Sequence, residues 1–275
     1  MLMIGSFARN SGKTELACRI IGRHADETTV VGLKVTTVER AGGGCPHDGE
    51  GCGVCSSHAE PWIVSREFDH ESPKDTCRLL ASGAHAVYWL RVLRSEVVDG
   101  AANLLDRVPV GRLSVCESNS LGTVVEPGLF LQVRSADSED VKPSAQAVAH
   151  LADRVVVSDG SLFDLDLDRV SVVAGQWVLR REACAVVVFG DDGRHEADRT
   201  VALHRTKASL EPQFDRVTFG PGDLAEGRAA LPLVEHPGPP EEWCLITPPL
   251  ADGVPPGLVN ALFRRRSGVD VVVAA

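Results

Sequence analysis

Met3-Ile4-Gly5-Ser6-Phe7-Ala8-Arg9-Asn10-Ser11-Gly12-Lys13-Thr14 is the stretch that decides the fold. An apolar strand breaks into a polar loop ending Gly-Lys-Thr, and the chain runs on through Leu16, Ile20 and Ile21 at helical spacing. Strand, loop and helix in that order make a phosphate loop. Backbone N–H groups at the helix N-terminus converge on an anion, Lys13 reaches the β- and γ-phosphates, and the Thr14 hydroxyl can ligate Mg²⁺. The candidate nucleotide-binding residues are therefore Arg9, Asn10, Ser11, Gly12, Lys13, Thr14 and Glu15. One feature departs from the usual G-x-x-x-x-G-K-[ST] pattern: Phe7 stands where the first glycine would be, and Gly5 lies two residues earlier. The bland alternative is a strand-to-helix turn that carries a lysine by accident.

Outward from the loop, short β-branched runs alternate with helical patterns, as in βαβ units around a parallel sheet. Strands are expected at 1–7, 29–37, 86–92, 113–117, 129–134, 155–158 and 170–173, and helices at 12–25, 74–83, 95–107 and 143–153. The fold class is α/β, a P-loop NTPase-like, mostly parallel sheet with helices on both faces and a smaller C-terminal region. Ligands of such sheets bind at the carboxyl ends of the strands, so residues 9–14, 34–38, 117–120 and Asp159 are expected to face one site. Asp159, which precedes Gly160, reads either as a turn residue or as a contact to a purine edge.

The expected domains are 1–193, a P-loop domain with a Cys-rich metal-binding insert at 41–60, and 194–275, a C-terminal extension or small α/β region with a Pro-rich linker. After Gly190-Asp191-Asp192-Gly193 the pattern loosens, and a Pro-rich stretch from Pro232 to Pro240 reads as a linker. A helix at 257–266 and a strand at 269–273 are expected to follow.

Composition narrows the function. The 275 residues are 44% hydrophobic with a formal charge of −10, and so acidic a surface repels a nucleic-acid backbone. No apolar run approaches the length of a membrane span, and no secretory leader is apparent, so a cytoplasmic protein is expected. Only five of the cations are lysines, and four of them, Lys13, Lys34, Lys74 and Lys142, fall in or beside the motifs.

Cys45, Cys52 and Cys55 crowd into a Gly-rich stretch with His47 and His58 nearby. That set suits a Zn²⁺ site or an iron–sulfur cluster, with Cys77 or Cys116 as a further candidate ligand. A reduced loop or a Cys52–Cys55 disulfide is the competing reading. Trp62, Trp89, Trp177 and Trp243 show no spacing that suggests a stacking platform.

The phosphate loop, Val31-Gly32-Leu33-Lys34, Ser72-Pro73-Lys74-Asp75-Thr76-Cys77-Arg78 with Ala81-Ser82-Gly83-Ala84, and Cys116-Glu117-Ser118-Asn119 together resemble the MobB family. Its members are P-loop adapters of molybdopterin-guanine dinucleotide synthesis, and the likeness covers roughly residues 1–158. The resemblance implies nucleotide phosphates at Gly12, Lys13 and Thr14, and a Mg²⁺-side or catalytic carboxylate at Glu117, with Asp75 as a second candidate. It implies an accessory role in maturing a metal cofactor or a metalloenzyme client, with GTP or ATP, Mg²⁺ and a homodimer. From the residues themselves, Glu117 at a strand end can hold Mg²⁺ or orient water, and Asp75 can equally be a helix N-terminal charge. Two other readings stay open: a dethiobiotin-synthetase-like, ATP-dependent enzyme acting on a small carboxylate, and a non-hydrolysing zinc-binding adapter.

Overall fold

The computed structural model describes residues 1–38, 60–189, 195–221, 244–247, 252–255, 259 and 271–273. The chain divides into two compact units, Met1–Leu167 and Asp168–Ala275. Cys45, His47, Cys52, Cys55 and His58 lie outside the described residues, as do 232–240 and most of the expected helix at 257–266.

The first unit carries strands β1 (Leu2–Ser6), β2 (Val30–Val38), β3 (Trp62–Glu67), β4 (Ala86–Leu93), β5 (Leu113–Glu117), β6 (Leu129–Ser135) and β7 (Arg154–Ser158), with helices α1 (Lys13–His24), α2 (Asp75–Ala81), α3 (Val97–Leu105) and α4 (Pro143–Gln146). The seven strands form one sheet in the order β3-β4-β2-β5-β1-β6-β7. All pairs are parallel except β3 with β4. Every residue of β1 is buried, which a central strand covered on both faces requires and which explains its unbroken apolar run. Leu16, Ile20 and Ile21 bury one stripe of α1, and Val97, Ala101 and Leu104 of α3 join Leu33, Leu90 and Phe130 in a core on the sheet. The fold is α/β and P-loop NTPase-like, a mostly parallel sheet entered through a strand, a Gly-Lys-Thr loop and a helix.

One topological choice matters for the site. The chain leaves β1 through α1 but returns to the sheet at β2, with β5 between them, so Ile4 and Lys34 both stand in register with Glu117. The carboxyl ends of β1 and β5 thus meet the middle of β2 at Lys34, on the side of the sheet where open α/β folds receive ligands.

The second unit contains a hairpin, β8 (Val170–Val173) with β9 (Gln176–Leu179), and a parallel sheet of β10 (Arg181–Phe189), β11 (Phe214–Pro221), β12 (Cys244–Thr247) and β13 (Val271–Val273) in the order β11-β10-β12-β13. Helix α5 (Glu196–Leu210) connects β10 to β11. After residue 190, where the sequence pattern loosens, fifteen residues of helix and a parallel strand follow. No described helix is long and apolar enough to cross a membrane.

Candidate functional site

The loop between β1 and α1 is built by short-range bonds that set its shape. Ser6 Oγ and Ser11 Oγ both donate to the Ala8 carbonyl, at 2.9 and 3.0 Å. Phe7 extends the strand: its N–H donates to Val133 O at 2.9 Å, and its carbonyl accepts from Lys142 N at 2.8 Å. A side chain is tolerated at this position because Phe7, just past the end of β1, is still tied to β6 through Val133, with its ring packed under Arg134. Gly12 enters α1 at φ 90°, and a Cβ on it would lie 3.2 Å from Phe163 and 3.3 Å from Ser158 Oγ. The first turn of α1 has no intrahelical partners for its N–H groups, so those of Lys13, Thr14 and Glu15 open toward the loop.

Glu117 is the centre of the polar network. Its carboxylate is fully buried and accepts from Thr14 Oγ1 at 2.8 Å through Oε2, while Oε1 receives Lys13 Nζ at 2.7 Å and Lys34 Nζ at 3.2 Å. Lys34 also donates to Asp75 Oδ2 at the start of α2. Burial alone would push the Glu117 carboxyl up, but the charges of Lys13 and then Lys34 together overcome it and hold it at about 2. The same two carboxylates, outweighing burial, raise Lys34 above its usual value. A carboxylate so acidic is a poor general base near neutral pH. Among the described residues Asp75 meets this centre through Lys34.

A further lysine belongs to this site. Lys142, whose N–H anchors Phe7, is pushed down to about 8, first by burial and then by the charges of Lys13 and Arg9. Arg9, Lys13 and Lys142 therefore repel one another around a single loop, an arrangement suited to a polyphosphate. Asn119 is a second residue whose part was not legible. Its side chain accepts from Ser6 N and donates to Ser6 O, both at 2.9 Å, and so locks the end of β1 to β5. Gly5 leaves the room for this, because a Cβ there would collide with Asn119 Oδ1. The Glu15 side chain turns away from the loop to Arg19, at 2.8 Å, and to Arg78 of α2, at 2.6 Å. Asp159 serves its own turn, accepting from the N–H groups of Ser161 and Leu162.

The oxygen donors at Thr14 and Glu117, 2.8 Å apart beside the phosphate loop, fit a hard cation such as Mg²⁺. Among the described residues no three His, Cys, Asp or Glu side chains gather as a metal site. Cys116 is fully buried in the core, where burial pushes its thiol up, so it is not placed as a thiolate ligand. Cys77 is likewise buried, on α2.

Trp89 was passed over because sequence spacing says nothing about cross-strand register. It stands opposite Lys34, donates its indole N–H to Thr36 Oγ1 at 3.0 Å, and carries the Arg91 guanidinium 4.7 Å over its ring.

No protein-family model matches the chain, and no curated protein matches it. Among solved structures, the chain is similar to the crystal structure of the "apo" form of LpxK from Aquifex aeolicus in complex with ATP, at 12% identity. That likeness spans 99% of this chain and 81% of that one, with a TM-score of 0.36. A likeness of this degree assigns neither family nor activity, and the functional reading rests on the site itself.

Proposed function

We propose that this chain is a Mg²⁺-dependent P-loop protein that binds ATP or GTP and cleaves or transfers its γ-phosphate. The observation that carries this reading is the buried Glu117 carboxylate, held at once by Lys13, Thr14 and Lys34 at the mouth of a loop flanked by Arg9 and Lys142. The N–H groups of the first turn of α1 hold the phosphates, and Lys13 places its charge where negative charge develops on the transferring group. Thr14 and Glu117 would hold Mg²⁺, which when bound neutralises the β- and γ-phosphate oxygens. Glu117 keeps Lys13 and Thr14 in position, and Asp75 steadies Lys34 against Glu117.

The residues that resemble the MobB family support an accessory role in metal-cofactor biosynthesis or metalloenzyme maturation, with Cys45, Cys52 and Cys55 as the metal loop and slow hydrolysis. One observation favours a kinase or synthetase instead: the Arg91 and Trp89 pair beside Lys34 offers a second ligand a place.

Titration of fluorescent ATP and GTP analogues, with and without Mg²⁺, tests the proposal. Lys13→Ala removes a charged contact and should weaken binding roughly 10- to 100-fold, and Thr14→Val should remove the dependence on Mg²⁺. Equal affinity in the parent protein and Lys13→Ala refutes it.

A further inference from the structure

Beyond the nucleotide site, β2, β3 and β4 present a polar row that the phosphate loop does not use. Glu117, Lys34, Trp89 and Ser65 stand in one register line across β5, β2, β4 and β3. Two residues further along the strands, Thr36 pairs with Arg91 and Arg91 with Ile63. Residues two apart on a strand share a face, so Thr36 and Arg91 project to the same side as Lys34. That side carries α2, whose Asp75 meets Lys34.

Two observations mark this row as a binding surface. The Arg91 guanidinium lies over Trp89, whose indole is itself fixed by Thr36, so the cation is held in one orientation. Among the described residues Arg91 Nε is buried and has no hydrogen-bond partner. A desolvated N–H without an acceptor costs stability, and a carboxylate or phosphate oxygen that reaches the guanidinium would answer it. Lys34, by contrast, already has Glu117 and Asp75. Thr36, Trp89, Ser65 and Ile63 are all half-buried, so the strip is neither core nor open surface.

Neighbouring strands lie about 4.8 Å apart and residues two apart on a strand about 6.6 Å, which puts Arg91 about 12 Å from Glu117 across β2. That is the span of a small molecule with its reacting group at Lys13 and Glu117 and its anionic end at Arg91. We infer that the Arg91, Trp89 and Thr36 strip binds the oxyanion, carboxylate or phosphate, of a small second substrate lying beside the γ-phosphate. This rests on the P-loop reading for its position, and on Arg91 for its chemistry.

The test uses the full chain saturated with Mg·ADP, so that the phosphate loop is filled, with nucleotide binding measured separately by a fluorescent ADP analogue. The Trp89 indole and Arg91 Nε–H resonances are followed while inorganic phosphate or malonate is added, with sodium chloride as an ionic-strength control. A saturable shift with either probe, weakened at least tenfold in Arg91→Gln while Mg·ADP affinity is unchanged, supports the strip. Response to phosphate alone assigns a phosphorylated substrate, and response to malonate alone assigns a carboxylate. Shifts that follow chloride, or that persist in Arg91→Gln, overturn the strip and leave the nucleotide reading intact. Failure of the parent protein to bind Mg·ADP overturns the nucleotide reading, and the probes are then titrated without nucleotide to judge Arg91 alone.

Discussion

Replacing Glu117 by Gln keeps the shape of the side chain and removes only its charge. In the folded protein this carboxyl falls from the ordinary 4.5 to about 2 although it is fully buried, so the pull of Lys13 and Lys34 exceeds the cost of desolvation. Each tenfold change in proton affinity corresponds to about 1.4 kcal/mol, so the ionised carboxylate contributes about 3 kcal/mol to folding at neutral pH. The folded value is the lower one, so this contribution is complete above about 4.5 and is lost as the pH falls toward 2. Glu117→Gln should therefore be about 3 kcal/mol less stable than the parent at pH 7. The gap should hold to about pH 5 and shrink to under half by pH 3, where the unfolded chain already carries this carboxyl protonated while the folded protein still keeps most of it ionised. Swapping a buried ion pair for apolar groups can be neutral, but this change leaves both lysines in place, and Lys13 loses the carboxylate it contacts. Denaturant unfolding of both proteins at a series of pH values from 7 to 3 measures the gap directly. A gap that is absent at pH 7, or that stays constant down to pH 3, would refute the assignment of Glu117 as the ionised hub of the site.

Gly12→Ala forces a side chain into φ 90° and against Phe163 and Ser158, so it should cost about 1–3 kcal/mol in denaturant unfolding and weaken nucleotide binding with it. No change in either quantity would show that the loop can be re-formed without its left-handed residue. Lys142→Met should act in opposite directions on stability and binding. The folded value of Lys142 lies below its ordinary 10.5, so its charge opposes folding below about pH 8, and that opposition fades as the pH rises toward 10.5. Removing it should raise the unfolding midpoint at pH 7 and lower nucleotide affinity, while the affinity of the parent should decline as pH rises through about 8. A variant that loses stability at pH 7 contradicts this.

What could be read from the sequence was what is local. The apolar run of β1, the Gly-Lys-Thr turn and the stripe of α1 are each written within a dozen residues, and Glu117 ends an equally plain strand. The contacts of Glu117 were not legible, because they follow from the placement of β5 between β1 and β2, a pairing across more than 80 residues. Strand β3 was missed because its residues are mostly half-buried at the sheet edge and it is the antiparallel one, so it carries neither a buried run nor a βαβ setting. Helix α5 was missed because it buries Ala202, Thr206 and Leu210, a stripe too small and too polar to stand out among its charges. The expected helix at 143–153 is broken into α4 and a 3-10 turn at Ala149–Leu151. Trp89 became informative only when register put it beside Lys34 and below Arg91.

The distribution of charge ties these findings together. The chain carries a formal charge of −10 and only five lysines, yet Lys13, Lys34 and Lys142 converge on one strand-end site with Arg9 beside them. Folding does not call for this. Glu117 answers Lys13 and Lys34, and Asp75 gives Lys34 a second carboxylate, but the charge of Lys142 is held against both burial and its neighbours. Arg91 repeats the pattern two strands away, with its Nε desolvated and unanswered among the described residues. A polyanion at the loop would relieve the first cost and a small oxyanion the second. Both costs lie on the same sheet, and on the proposed reading they are two halves of one arrangement, donor phosphate at Lys13 and acceptor at Arg91, with the Glu117 and Lys34 pair between them.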